Sequence, residues 1–372
     1  MTAQVTVVIA CHSAERPLDR AVRSVLEGNE RHAHPLVVAH NIPLEELSLS
    51  IAEDLRPRVQ ILPHIDGISS PTGPFNAGLD AVDTPWCAVM GSDDWLEPGA
   101  VESWLRLAKR YKAEAVLTNL ALGSPTRTVP TPPARVLHRG LRHERTDRLV
   151  YRSAPLGLLS TAMLERLGLR FIPGLSVGED VAFATRLACE ARVAVDRTGP
   201  AYVIGEDAGD RVTYVVRPIR EQLAFVPPLI ASPWFNRLAP STRAAIIVKF
   251  IRIHVFGTVH YRPGVESWSG SDREDLASLC QRLLKASPSA VRSFSRAEAS
   301  LLAACLDPTV DAASLAELSR KRRHHGTPAT LVTSRVGDLF LPDAPPRFIA
   351  ASAATKLTGT VAAALRSYKR PS

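Results

Sequence analysis

A chain of 372 residues, 45% apolar and 22% charged, has the length of about two domains and the apolar material for a real core, which excludes a disordered or small disulfide-scaffold protein. Its net charge of +8 favours anionic partners such as nucleotides, phospholipid surfaces or nucleic acid without choosing among them. Five cysteines (Cys11, Cys87, Cys189, Cys280 and Cys305) form no CxxC pair, so neither a zinc site nor a disulfide framework is expected, and a reducing compartment fits.

A strand pattern begins almost at once, which leaves no charged-then-apolar leader. Residues 5–10, Val-Thr-Val-Val-Ile-Ala, are nearly continuous apolar and β-branched, as a parallel strand covered on both faces requires. Cys11-His12-Ser13 ends it, and Pro17 opens a helix with Leu18, Ala21, Val22, Val25 and Leu26 on one face, closed by Gly28-Asn29. Strands are expected at 36–39, ending in His40-Asn41, and at 59–62; helices at 44–55 and 75–82. A strand at 86–90, a helix at 101–112 and a strand at 115–118 follow. This β-α alternation predicts a doubly wound, mostly parallel α/β sheet. Residues 123–148, rich in proline and arginine, read as a long functional or mobile loop. Order resumes at 156–159, with helices at 161–167 and 181–188 and short strands at 193–195 and 201–204. Beyond Pro218 the pattern is helical, at about 220–225, 241–255, 271–286, 296–304, 312–321 and 346–369. The expected division is therefore an α/β domain over 1–218 and an α-helical region over 219–372. No run of about 18 uncharged apolar residues reads as a transmembrane helix.

The strand at 86–90 ends in Gly91-Ser92-Asp93-Asp94, then Pro98-Gly99. Two adjacent acids there stand at the rim where open α/β sheets bind ligands, and hard divalent cations take one or two carboxylates plus substrate phosphates. A metal–diphosphate site is one reading. The other is that Asp93 and Asp94 cap the helix beginning near Ala100.

Three pieces in order resemble the inverting, family-2 glycosyltransferases of GT-A fold over residues 3–217. They are the first strand and turn (5–13), Asn76-Ala77-Gly78 followed by Ser92-Asp93-Asp94, and Gly178-Glu179-Asp180 leading into an apolar helix with Arg186. The resemblance implies a nucleotide diphosphate sugar donor, a glycan or lipid-linked acceptor and a divalent cofactor, Mn²⁺ or Mg²⁺, that offsets charge on the leaving diphosphate. By position Asp93 is the metal ligand, Asp94 its neighbour on the donor, and Asp180 the general base. Inversion follows from a single displacement. Glu179 either orients the acceptor or is an acid favoured in a first helical turn. The implied nucleotide-sugar contacts also include Ala10, Asn76 and Ser92, with His12 stacking on the base or serving as a buried turn histidine. Asp66 is implied near the base, and Arg211 with Thr213 near the diphosphate, an ordinary surface arginine being the rival reading. Two departures stand out. His40-Asn41 replaces the family's usual acid pair, leaving Asn41 for base recognition, and Gly91 occupies the usual first acid of the metal motif.

The segment 244–256 intersperses Lys249 and Arg252 among Ile246, Ile247, Val248, Phe250, Ile251, Ile253 and Val255. It reads as a core helix or as an interfacial helix suited to a lipid-linked acceptor. Arg320-Lys321-Arg322-Arg323-His324-His325 and the terminal Arg366, Lys369 and Arg370 read as solvated surface or as attraction to a membrane surface. The expected location is cytoplasmic, with room for peripheral contact at the inner membrane face and for oligomers. Nucleic-acid binding is disfavoured, because the basic residues lack interleaved aromatics. A nucleotidyltransferase would carry glycines in the loop after the first strand, where Cys11-His12-Ser13-Ala14-Glu15-Arg16 has none. A catalytically silent homologue acting as a scaffold or sugar-binding partner remains the alternative function.

Overall fold

The computed structural model describes residues 3–123, 125–207 and 216–368, with side chains as far as residue 358. Its first half alternates β1 (Val5–Cys11), α1 (Leu18–Leu26), β2 (Ala33–His40), α2 (Leu44–Leu49), β3 (Gln60–His64), α3 (Thr72–Asp80), β4 (Trp86–Gly91), β5 (Trp95–Leu96), α4 (Ala100–Tyr111) and β6 (Ala115–Leu117). Next come β7 (Leu120–Leu122), β8 (Arg127–Val129), β9 (Gly157–Ser160), α5 (Thr161–Leu167), α6 (Glu179–Glu190), β10 (Val193–Val195) and β11 (Tyr202–Ile204).

Seven strands form one sheet in the order β10-β6-β9-β4-β1-β2-β3. β1 lies parallel to both β2 and β4, and its apolar run is buried on both faces, as expected. β9 runs antiparallel between β4 and β6, so the sheet is mixed. A second sheet, β5-β11-β7-β8, crosses the carboxyl end of the first. α1 buries the five residues its period marked. α3 lies close on the sheet because Gly78 has no side chain: a Cβ there would stand 2.2 Å from Val8 Cγ1.

The structure differs from expectation in four places. The helix expected over 44–55 stops at Leu49, and the chain reaches β3 through a 3₁₀ turn at Arg56–Arg58 containing Pro57. Within 123–148, β8 pairs with β7, and buried Asp147 gathers donors from Arg135 and His143, so this loop is stitched down. Two short helices, α8 (Val226–Ala231) and α9 (Pro233–Arg237), begin at prolines or beside them, after α7 (Ile219–Gln222). The helix expected over 241–255 is three pieces: α10 (Pro240–Lys249), a π-turn (Phe250–Val255) and α11 (Phe256–His260).

The remaining helices are α12 (Asp272–Ala286), α13 (Arg296–Leu306), α14 (Ala312–Arg323), α15 (Pro328–Leu331) and α16 (Pro345–Tyr368). They share a core with the sheet. One cluster of buried side chains runs from Val8 and Val89 through Phe183 on α6 to Ile246, Phe250 and Leu301. The 244–256 segment is thus largely core, with Lys249 and Arg252 both buried and Ile253 exposed. Among the described residues, no helix is long and apolar enough to cross a membrane.

Candidate active site

β4 delivers Ser92-Asp93-Asp94 to the carboxyl end of the large sheet, where β5 turns the chain into the small one. Arg16, from the β1–α1 turn, meets this tip, donating from Nη2 to Asp93 Oδ1 (2.8 Å) and from Nε to Ser92 Oγ (3.2 Å). Arg20 donates to the Asp93 carbonyl. Asp94 is fixed by the second sheet, accepting at Oδ2 from the Tyr202 hydroxyl (2.5 Å) and at Oδ1 from the Gly205 amide (2.9 Å). Burial, then the charge of Asp93, pushes the Asp94 carboxyl up to about 6. Neither acid caps α4, whose N-cap is Gly99 at φ +81°, so the helix-cap reading fails. The departure at Gly91 has a steric reason. A Cβ there would lie 2.9 Å from Asp94 Oδ2 and 3.0 Å from Asp93 Oδ1.

α6 begins after Gly178, whose φ of +80° suits glycine, and carries Glu179 and Asp180 in its first turn. Both carboxyls are raised, Glu179 by burial and the charge of Asp180, Asp180 by burial against the opposing pull of Lys249. A cleft of about 510 Å³ separates this turn from the β4 tip. Asp93, Asp94 and Arg16 line it together with Glu179 and Asp180. The expected juxtaposition of the acids at 93 and 180 is present. His12 lines the same cleft and is exposed, so it is not a buried turn histidine.

The other expected contacts lie apart from this cleft. Ala10 sits within β1, opposite Val38 and Gly91. Ser92 is buried beneath the tip. Asn76 exchanges two hydrogen bonds of 2.9 Å with the backbone of Phe171. Arg186 pairs with Glu190. Asn41 (φ +55°) and Asp66 form a separate network: Asn41 Oδ1 accepts from the Asp66 and Gly67 amides, and Asp66 meets His40 (2.9 Å) and His64 (3.2 Å). The Ile68 amide, then His40, holds the Asp66 carboxyl well below the usual range. Arg211 and Thr213 lie outside the described residues.

Among the described residues, metal-ligand spacing of three groups occurs at His40, His64 and Asp66, whose ligand atoms fall within 4.8 Å of one another. That imidazole-rich set does not suit Mg²⁺, which prefers oxygen. A hard cation held by one carboxylate and the phosphates of a donor fits Asp93, which borders the cleft. Asp94, with both oxygens engaged by Tyr202 and Gly205, fits as the support beside it.

Sequence reasoning missed Arg16, Tyr202, Phe225, Lys249 and His254. Phe225 and His254 come from the C-terminal helices and line the cleft with Ile253, Tyr261 and Arg262. The one available signal was Lys249 inside an otherwise apolar run.

Comparison with known proteins bears on the family of the first half and on the fold. Residues 6–168 match the model of the family described as Glycosyl transferase family 2. Succinoglycan biosynthesis protein ExoO of Rhizobium meliloti (strain 1021) is 28% identical over 220 residues, covering 56% of this chain and 63% of that protein. The chain therefore spans less than two thirds of that curated relative. The crystal structure of S. aureus TarS 1-349 superposes with a TM-score of 0.61 at 14% identity, covering 87% of this chain and 93% of that one. The same protein in complex with UDP-GlcNAc gives a TM-score of 0.65 with the same identity and coverage. At that identity the likeness speaks for the fold, a GT-A-type mixed sheet followed by helices. Residues 6–168 thus match Glycosyl transferase family 2, on a fold shared with the TarS structures.

Proposed function

We propose that this chain moves a sugar from a nucleotide diphosphate sugar to an acceptor hydroxyl in a single inverting displacement. The observation that supports this is that Asp93 and Asp180, far apart in the sequence, line one cleft. Asp180 takes the acceptor proton as the oxygen attacks the anomeric carbon, and its raised carboxyl makes it a competent base near neutral pH. Glu179 shares that helix turn and orients the acceptor. Asp93 would hold Mn²⁺ or Mg²⁺, which when bound offsets the negative charge of the departing diphosphate. Arg16 steadies Asp93, and Tyr202 steadies Asp94. His12, Asn41 and Asp66 serve the nucleobase, and Arg211 the diphosphate. Residues 1–218 bind the donor, while the 219–372 helices form the acceptor wall.

The UDP-GlcNAc complex of TarS supports a uridine nucleotide donor. The name of the Rhizobium relative supports a cell-envelope glycan or lipid-linked saccharide as acceptor. Action at the cytoplasmic face of the membrane, through peripheral contact, follows from that acceptor. The test is a panel of nucleotide sugars with Mn²⁺ or Mg²⁺, scored by nucleotide diphosphate release, followed by Asp180→Asn. Transfer should fall about 10²–10⁴-fold with donor binding almost unchanged. Transfer retained in Asp180→Asn rejects the assignment. A wild-type chain that binds donor yet never releases diphosphate is the silent scaffold instead.

A further inference from the structure

Lys249 ends α10, in a helical region that shares one buried core with α6. Its side chain is wholly buried, and its Nζ meets no hydrogen-bond acceptor among the described residues. A buried ammonium without an acceptor is costly, so packing alone does not account for it. Its neighbours locate it. Phe250 meets Phe225 edge-on with ring centroids 5.6 Å apart. Phe225 fills the space over Gly178, where a Cβ would stand 2.4 Å from Cδ1. The π-turn that follows Lys249 brings His254 against both rings, at 4.9 and 5.8 Å, and into the cleft wall. Isolated π-turns recur at functional sites because they re-aim side chains within a helix.

The charges agree with this packing. Burial pushes the Lys249 ammonium down to about 7, and the group opposing that is Asp180. Lys249 is in turn the charged side chain that pulls the Asp180 carboxyl back towards its ordinary range. Other titratable groups border the pair. Glu179 shares the helix turn, His254 follows on the π-turn, and His12, Arg16, Asp93, Asp94, Tyr261 and Arg262 line the same cleft as Asp180. Of the cations, Lys249 is the one whose field acts on Asp180.

We propose that Lys249 is a residue that supports the catalytic base, a buried cation lent by the C-terminal helices that favours the ionised form of Asp180. This rests on the reading of Asp180 as the base. In the step it serves, the acceptor O–H bond breaks as its oxygen bonds to the anomeric carbon. The proton passes to the Asp180 carboxylate, and the nucleoside diphosphate leaves with the electron pair of the glycosidic bond. Lys249 acts through its charge and is not a partner in the proton transfer.

The experiment is the pH–rate profile of Lys249→Met in the full chain, with donor affinity measured alongside. Without the cation the Asp180 carboxyl rises, so the acid limb of kcat should move up by about one pH unit or more. Turnover at neutral pH should fall about twofold for a one-unit shift and about tenfold for two, and recover as pH rises, with donor affinity unchanged. Lys249→Arg should keep the limb near its wild-type position. A uniform loss of turnover with an unmoved limb overturns the proposal. Should Lys249→Met fail to give folded protein by circular dichroism, Lys249→Gln, which can hydrogen-bond in the same space, carries the same comparison. Asp180→Asn separates the two ideas. Transfer surviving there removes the base itself, whereas transfer lost there beside an unmoved limb in Lys249→Met removes only the role of the lysine.

Discussion

The Tyr202 hydroxyl donates to Asp94 Oδ2 at 2.5 Å, so a residue of the small sheet holds the acid at the tip of the large one. Both side chains are buried. Tyr202→Phe leaves a buried carboxylate oxygen short of its donor, at a cost of about 1–3 kcal/mol. The expected result is a lowered melting temperature. A double-mutant cycle with Asp94→Asn should return a coupling of about 1 kcal/mol or more. Simple additivity would show that the bond contributes nothing.

The pH dependence of stability has a definite sign. Asp94, Glu179 and Asp180 all have carboxyls raised by burial. An acid raised in the folded state binds its proton more readily there than in the unfolded chain. Its contribution is therefore full below the ordinary carboxylate range and lost as pH climbs through the raised value. Lys249, lowered to about 7, adds pH dependence only above that value, because below it the lysine is charged in both states. Without metal and donor, the melting temperature should rise as pH falls from about 7 to about 5, and Asp94→Asn should flatten the rise. A steady fall over that interval contradicts the assignment.

Gly178 combines φ +80° with a Phe225 ring where a Cβ would stand. Gly178→Ala must adopt a left-handed backbone, at about 1–2 kcal/mol, and must also displace the ring. Glu179 and Asp180 hang on the turn that moves. We expect kcat to fall more than tenfold while donor affinity holds, as read from initial rates and donor titration. Equal losses in both would point to general unfolding.

Arg252 and Glu298 form a buried, two-pronged ion pair at 2.8 and 3.0 Å, and Glu298 also closes the capping box of α13 with Ser295. Glu298→Gln leaves the guanidinium without its counter-charge, and breaking a buried pair from one side costs about 3–5 kcal/mol. Urea unfolding should show that loss. A change below about 1 kcal/mol would place the pair among those that contribute little.

The strands and helices legible in the sequence are those whose burial is one-sided or complete over a full element. β1 and β4 are continuous apolar runs, and α1 and α4 keep a helical period. β5, β7 and β8 are two or three residues long, too short to show any period, so the small sheet was invisible. The antiparallel course of β9 is decided by partners distant in the chain. The same holds within the site. The order of the acid motifs announced Asp93 and Asp180, but Arg16 on Asp93 and Tyr202 on Asp94 join residues that no local pattern links. Lys249 and Arg252 stood out as charges in an apolar stretch, a pattern that announces buried pairing without naming the partner. Arg252 finds Glu298, while Lys249 Nζ has no hydrogen-bond partner among the described residues.

The continuity of the apolar interior from Val8 through Phe183 to Phe250 bears on how this protein could be re-engineered. A fragment cut at residue 218 would bare the underside of α6 to water, and aggregation rather than a minimal catalyst would follow. Chimaeras meant to swap acceptor choice between homologues therefore need the cut upstream of Gly178. The exchangeable module is α6 together with the tail that supports it.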